Sequence, residues 1–102
     1  MLQLEHTCDV WRNAAVGTNG RKQVAELYTN VSCLLLPLRA ETEVRLGWQL
    51  GRGYNAFFDI DSDVKTGDQL RRDGQVYTVS SVQTFDTELL PHLEAMCQRE
   101  VS

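Results

Sequence analysis

A turn formed by Asp73 and Gly74 restricts the fold more than any other feature of the sequence. Apolar and polar residues alternate before it, over residues 64–72, and after it, over residues 75–82. An Asp-Gly pair favours a two-residue hairpin turn, because both central residues of that turn need positive φ values. A second Gly-Asp turn signal, residues 67–68, stands where the first strand enters the hairpin. This stretch predicts antiparallel β-structure and does not indicate a catalytic or binding function.

Three further segments have the alternation or the apolar content of β-strands: residues 3–12, residues 24–36 and residues 54–60. Between the first two, residues 13–22 contain glycines and an Asn-Gly pair and predict a loop. Pro37 ends the second strand. The continuous apolar run at residues 33–36 predicts that the end of this strand is covered on both faces.

The closing segment, residues 92–101, fits two patterns. A period of two places Leu93, Ala95 and Cys97 on one face, whereas a helical period groups Leu93, Met96 and Cys97. Its composition favours a helix, but a small sheet needs a last strand to close its edge, so we predict a strand. Residues 1–102 therefore predict a single all-β domain, a small antiparallel β-barrel of about six strands with a long loop after the second strand.

Charge argues against tight binding of nucleic acid. The net charge is −4, and the basic residues are scattered apart from Arg21-Lys22 and Arg71-Arg72, whereas proteins that grip DNA cluster positive charge against phosphate. No run of about 20 apolar residues exists, so no membrane span is predicted. The first six residues lack the basic and apolar segments of a signal peptide. We expect the chain in the cytoplasm or in an assembly built there.

The three cysteines, Cys8, Cys33 and Cys97, are odd in number and widely spaced. A disulfide framework favours an even count, and a zinc site usually shows a Cys-x-x-Cys pair. Each cysteine lies in an alternating apolar run, where a free thiol behaves as a small hydrophobe. Buried thiols are therefore predicted, with no metal and no cofactor.

An acidic segment, Asp59–Asp63, has carboxylates at the first, third and fifth positions of a calcium loop. The glycine and glutamate that an EF-hand needs at its sixth and twelfth positions are replaced by Val64 and Leu70. A solvated turn is the favoured interpretation. His6 and His92 lie in no local arrangement with an activated nucleophile, so we expect no enzyme activity.

The segment from Arg39 to Gly53 is the main candidate for function. Residues 39–46 predict either a helical turn or two or a mobile loop, and three glycines follow within residues 47–53. Connections of this length in compact domains are usually functional or disordered. Trp48 and Leu50 within it favour a segment that is ordered against another chain.

Taken together, the chain resembles the head–tail stopper (head-closure) proteins of long, non-contractile-tailed bacteriophages and related particles. The resemblance covers nearly the full length, and it rests on the order and spacing of its pieces rather than on any one motif. These pieces are Cys8-Asp9-Val10-Trp11-Arg12, Val31-Ser32-Cys33-Leu34-Leu35-Leu36-Pro37-Leu38, Ala40-Glu41, Gly67-Asp68 with Leu70, Gly74 with Tyr77 and Val79, and His92-Leu93-Glu94.

This resemblance implies a structural virion protein at the head–tail junction, assembled in the host cytoplasm. It implies a ring of about six or twelve copies that closes the portal channel, retains packaged double-stranded DNA without reading its sequence, and docks the tail. Its expected partners are a portal adaptor above and a tail terminator or tail tube protein below. The channel or interface residues would be Arg39, Glu41, Glu43, Arg45, Trp48, Gln49, Leu50 and Arg52.

Electrostatics agrees with a gate better than with a DNA binder. Glu41 and Glu43 would repel phosphate, so DNA could slide past the loop while a constriction retains it. The alternative function is that of a monomeric barrel, similar to an SH3 or OB barrel, that binds a peptide or nucleic acid.

Overall fold

The computed structural model describes residues 3–16 and 21–100, and of residues 13–16 and 21–24 it describes only the backbone. Six strands form a closed barrel in the order β1-β2-β3-β6-β5-β4, and every neighbouring pair is antiparallel. The elements in chain order are β1 His6–Val16, β2 Arg21–Pro37, α1 Ala40–Leu46, β3 Gly53–Phe58, β4 Gln69–Arg72, β5 Gln75–Phe85 and β6 His92–Arg99. The predicted all-β barrel is confirmed.

The hairpin between β4 and β5 has the predicted turn. Asp73 and Gly74 have φ values of 51° and 76°, and Arg72 pairs with Gln75 across them. The incoming strand is shorter than predicted, because the chain turns at Gly67, whose φ is 93°. Strand β4 therefore begins at Gln69, and residues 64–68 belong to the preceding loop.

The barrel interior is filled by alternate residues of the strands. In β6, Leu93, Ala95 and Cys97 are buried whereas Met96 is only half-buried, so the period of two is correct and the helical alternative is wrong. The largest fully buried side chain among the described residues is Phe58 of β3. The core consists of Cys8, Val10, Cys33, Ala56, Phe58, Val64, Leu70, Tyr77, Val79, Leu93, Ala95 and Cys97.

The apolar end of β2 was predicted to be covered on one face by the core and on the other face by something else. Among the described residues only the core face is covered, since Leu34 is half-buried and Leu36 is 43% exposed, and the cover of the outer face stays a prediction. The two side chains alternate with Cys33 and Leu35 and therefore point to the outside of the barrel. The continuous apolar run thus supplies one core face and one outer apolar face.

Strands β1 and β2 continue past the barrel as a two-stranded ribbon, defined as residues 12–16 and 21–30. The predicted loop at 13–22 is wrong over its described part, because the strands pair as far as Val16 and Arg21; residues 17–20 lie outside the described residues. A turn signal needs only a few residues, and the flanking ones pair when a partner strand is opposite. Two register shifts interrupt the ribbon near its base, where Asn30 has a φ of 51°.

Candidate functional site

The segment between β2 and β3 is a folded helix and turn. At its base, the Leu38 N–H donates to the Gly53 carbonyl at 2.9 Å and extends the pairing of the two strands. Helix α1 ends at Gly47, whose φ is 75°. The N–H groups of Gly47 and Trp48 donate to the Val44 and Glu43 carbonyls, which is the pattern of a Schellman cap. Of the two sequence alternatives for residues 39–46, the helix is confirmed.

Glu43 holds this segment together from inside. Only 3% of it is exposed, and its carboxylate accepts the N–H groups of Gly51 at 3.2 Å, Arg52 at 3.0 Å and Gly53 at 2.7 Å. These bonds, led by the one from Gly53, lower the Glu43 pKa below its ordinary 4.5. Glu43 was predicted to repel phosphate from an acidic loop, whereas the structure buries its carboxylate against three backbone N–H donors.

Close packing requires a glycine at position 53 of the glycine-rich stretch. A β-carbon at this position would lie 2.8 Å from Leu38 Cδ1 and 3.1 Å from Glu43 Cγ. Any larger residue would push the backbone away from the Glu43 carboxylate. The glycine is needed here for space, whereas Gly51 has a φ of 84° and open surroundings.

The other residues predicted for this segment divide by exposure. Arg52 is half-buried, and its Nε donates to the Arg99 carbonyl at 2.7 Å while Nη1 reaches Gln49 Oε1. Trp48 is also half-buried. Apolar side chains stand beside them in solvent, with Val44 68% and Leu50 62% exposed. The remaining exposed residues of the predicted set are Arg39, Glu41, Arg45, Gln49 and Leu50.

Replacing Glu43 by glutamine is expected to free the turn at Gly51–Gly53. The side chain keeps its size but turns an amide donor toward backbone donors, so we expect these amides to exchange with solvent faster by about tenfold or more. The measurement is residue-resolved hydrogen exchange at neutral pH. Glu41→Gln, an exposed carboxylate in the same helix, is the matched control and should leave the rates unchanged.

The same contact has a defined pH dependence. Because the Glu43 pKa is lowered in the folded state, its stabilising effect is complete above the ordinary glutamate pKa and is lost as pH falls through the lowered value. Exchange at Gly51–Gly53, corrected for intrinsic rates, should accelerate below pH 4.5 in the natural chain only. If the ratio of the corrected exchange rates in Glu43→Gln to those in the natural chain does not change as pH falls below 4.5, the contact is contradicted.

A shallow apolar groove lies between α1 and the outer face of the barrel. Leu36, Asn55 and Phe57 form its floor, Arg39 and Thr42 lie on its helix side, and its volume is about 290 Å³. The Oδ1 atom of Asn55 is buried there with no hydrogen-bond partner among the described residues. The groove and the exposed Val44 and Leu46 of α1 are apolar parts of this end of the barrel, beside the exposed charges of Glu41 and Arg45.

The base of the ribbon is tied to the loop before β4 by a buried ion pair. Both Asp68 carboxylate oxygens accept bonds of 2.9 Å from the Arg12 guanidinium, and Asp68 is 2% exposed. The Lys65 N–H also donates to Asp68, at 2.8 Å. Arg12 further reaches Asp63, which accepts the Tyr28 hydroxyl at 2.9 Å. These contacts join β1, β2 and the loop at the point where the ribbon leaves the barrel.

The acidic segment at 59–63 has a structural contact at one of its carboxylates. Asp63 is bound to Arg12 and Tyr28, and the bond from Arg12 is the main cause that lowers its pKa. Among the residues whose side chains the structure describes, no three His, Cys, Asp or Glu side chains are grouped as metal ligands would be. Asp59 and Asp61 are exposed in this turn.

The cysteines are buried and free, as predicted. A hydrogen bond with Cys33, together with burial, raises the Cys8 pKa, and burial raises the pKa of Cys97 to about 12. The raised pKa values leave Cys8 and Cys97 unreactive, because the thiolate is the nucleophile. The bond with Cys8 lowers the pKa of Cys33, but its thiol is buried as well. The histidines have structural contacts, since His6 Nδ1 accepts the Leu35 N–H and His92 stacks on Phe85 with ring centroids 4.9 Å apart.

Sequence reasoning missed the two contacts that shape these surfaces. Arg12 and Asp68 are 56 residues apart, so no local pattern connects them. Glu43 is separated from Gly53 by only ten residues, and an acidic residue followed by closely spaced glycines was the available signal. The ribbon was not predicted, because residues 13–22 were assigned to a loop although the strands pair as far as Val16 and Arg21.

Within residues 3–16 and 21–100, no helix is long and apolar enough to cross a membrane. No protein-family model matches the chain, and no curated protein is significantly similar to it in sequence.

Solved structures do show the fold. The chain is similar to protein SF1141 from Shigella flexneri 2a, with a TM-score of 0.68 at 10% identity, over 94% of this chain and 92% of that one. It is also similar to the phage-like element PBSX protein xkdH from Bacillus subtilis, with a TM-score of 0.57 at 16% identity, over 93% of each chain. The chain therefore shares its small closed barrel with a protein of a phage-like element.

Proposed function

We propose that this chain is a structural protein of the head–tail connector of a tailed phage or phage-derived particle. In this role it forms a ring below the portal, closes the channel to retain packaged DNA, and gives the tail its docking surface. A portal adaptor above and a tail terminator or tail tube protein below are the proposed partners. The role is structural rather than enzymatic, and the protein acts in the virion.

Fold similarity to a protein of a phage-like element supports the phage assignment. The observation that carries the connector role is the helix and turn between β2 and β3. It connects β2 to β3 at one end of the barrel, it is pinned internally by Glu43, and it places Val44 and Leu50 in solvent at 68% and 62% exposure. A rigid segment that exposes apolar side chains is suited to contact with another chain.

Burial of Glu43 changes the electrostatic part of the proposal. On the outer side of this segment the exposed charges are Glu41, Arg39 and Arg45, which carry both signs and a small net positive charge. Such a surface neither concentrates phosphate as a DNA-binding patch does nor repels it strongly. The segment would then restrict the channel by its bulk and by contacts with its neighbours.

The test removes the segment without opening the barrel. Because Leu38 and Gly53 are hydrogen-bonded partners at the base, residues 39–52 can be replaced by Asn-Gly, which closes a two-residue hairpin. The shortened chain should keep the far-ultraviolet dichroism of the barrel. In a genome that carries it, we expect heads that lose DNA or lack tails, scored by electron microscopy and by nuclease-sensitive DNA.

Leu89→Ser is the matched control, because Leu89 is 93% exposed in the loop between β5 and β6, at the opposite end of the barrel. This variant removes exposed apolar surface but leaves the segment intact, so it separates a specific loss from a general loss of hydrophobicity. Normal, tailed, DNA-filled particles from the shortened chain would contradict the proposed role.

A further inference from the structure

The ribbon has two open backbone edges. Strand β4 pairs with β1 only at Asp9–Trp11, and β3 pairs with β2 only at Cys33–Pro37. In the described part of the chain, the outer edges of residues 12–16 and 21–30 therefore have no strand partner. Open edges are templates for pairing with another chain, and an isolated two-stranded ribbon is marginally stable in water.

The ribbon also lacks a face that packs on the barrel. Each described side chain from Ala25 to Asn30 is exposed, whichever face of the strand it occupies. Two of them are large, with Leu27 at 40% and Tyr28 at 41% exposure; the Tyr28 hydroxyl is bound to Asp63, but its ring is in solvent. Alternating strand residues would bury every second side chain if one face were covered. The ribbon is thus built for contacts that the single chain does not supply.

We propose that the ribbon of one copy pairs edge to edge with the ribbon of the next copy. One open edge belongs to β1, which runs away from the barrel, and the other belongs to β2, which returns to it. When two ribbons point in the same direction, β2 of one copy is antiparallel to β1 of its neighbour. The new pair then repeats the β1–β2 pairing that already exists within each copy.

The choice of paired edges decides which kind of assembly forms. It joins two different edges, so a pair of copies still has one free β1 edge and one free β2 edge. Repetition by a rotation that divides a full turn then closes a ring in which every ribbon edge is paired. A β2–β2 contact would leave both β1 edges open. The inference therefore deepens the proposed ring, on which it rests, by naming the contact between copies.

The base of the ribbon is held in one direction before assembly. Arg12 is clamped by Asp68 and Asp63, and the Asp9 carboxylate accepts the Asn30 N–H at 3.0 Å, at the register shift where the ribbon bends. Fixing the ribbon in advance lowers the conformational cost of association. The same clamp sets the angle at which the ribbon meets its neighbour.

The experiment uses the purified full chain and a shortened one. Because Arg12 and Ala25 are opposite each other, residues 13–24 can be replaced by Asn-Gly, which removes the outer half of the ribbon, keeps residues 25–30 at its base, and leaves the core untouched. By sedimentation from about 10 μM to about 1 mM, the natural chain should increase in mass with concentration. The shortened chain should stay monomeric, with its barrel fold checked by circular dichroism.

Hydrogen exchange tests the edge pairing itself. At high concentration, alternate amides of residues 12–16 and 21–26 should be protected by about tenfold or more, because every second N–H of an edge points outward. A natural chain that stays monomeric, association that survives the shortening, or association without new amide protection would each overturn the proposal. These results do not depend on the particle experiment with residues 39–52. A failure of the ribbon contact can therefore be distinguished from a failure of the connector role.

Discussion

Replacing Asp68 by alanine is expected to lower the free energy of unfolding by about 3 kcal/mol. Asp68 is 2% exposed and accepts two bonds from the Arg12 guanidinium and one from the Lys65 N–H. Its removal leaves a half-buried positive charge with a weaker partner and a backbone donor without an acceptor. This loss of stability lies at the lower end for broken buried ion pairs, because Arg12 still has Asp63 as an acidic partner. Urea denaturation followed by tryptophan fluorescence measures it.

Asp63→Ala is the matched control for this variant. Asp63 binds the same guanidinium, but its side chain is 40% exposed and its bonds to Arg12 are longer, at 3.3 and 3.4 Å. Solvent screens such a pair, so its loss should be clearly smaller than that of Asp68→Ala. Equal losses for the two variants would contradict the buried ion pair as the main anchor of the ribbon.

Replacing Phe58 by alanine is expected to cost more, about 4 kcal/mol. Phe58 is part of the barrel core and is the largest of its fully buried side chains. It lies on β3 with strand partners on both sides, Cys33 of β2 and Leu93 of β6. A closed barrel has little freedom to collapse around the cavity, so the transfer and cavity costs add. The urea midpoint should fall while the slope of the transition stays the same.

The neighbouring Phe57 provides the control, because it has the same chemistry on the other face of the same strand. Its side chain is half-buried on the outside of the barrel, where its ring lies 6.0 Å from that of His92. Phe57→Ala removes surface contacts and opens no internal cavity. A loss as large as that of Phe58→Ala would show that the outer face, and not the interior, carries the stability of the barrel.

Local patterns were reliable where one short segment decides its own conformation. The Asp73 and Gly74 turn was predicted because its backbone angles exclude most other residues. Strand β6 was predicted against its helical composition, since a small open sheet needs a last strand to close its edge; the structure places it between β3 and β5. The helix at 40–46 remained one of two alternatives, because seven residues are too few for propensity to decide.

The sequence by itself determined the all-β class, the central hairpin, the buried thiols and the position of the segment between β2 and β3. Each of these depends on periodicity or turn chemistry within a few residues. Only the tertiary structure decided that Glu43 points inward and that Arg12 meets Asp68, because a side chain's partner is set by where the backbone brings distant donors. The same holds for the ribbon, whose edges are open because β4 pairs with β1 only at Asp9–Trp11 and β3 pairs with β2 only at Cys33–Pro37.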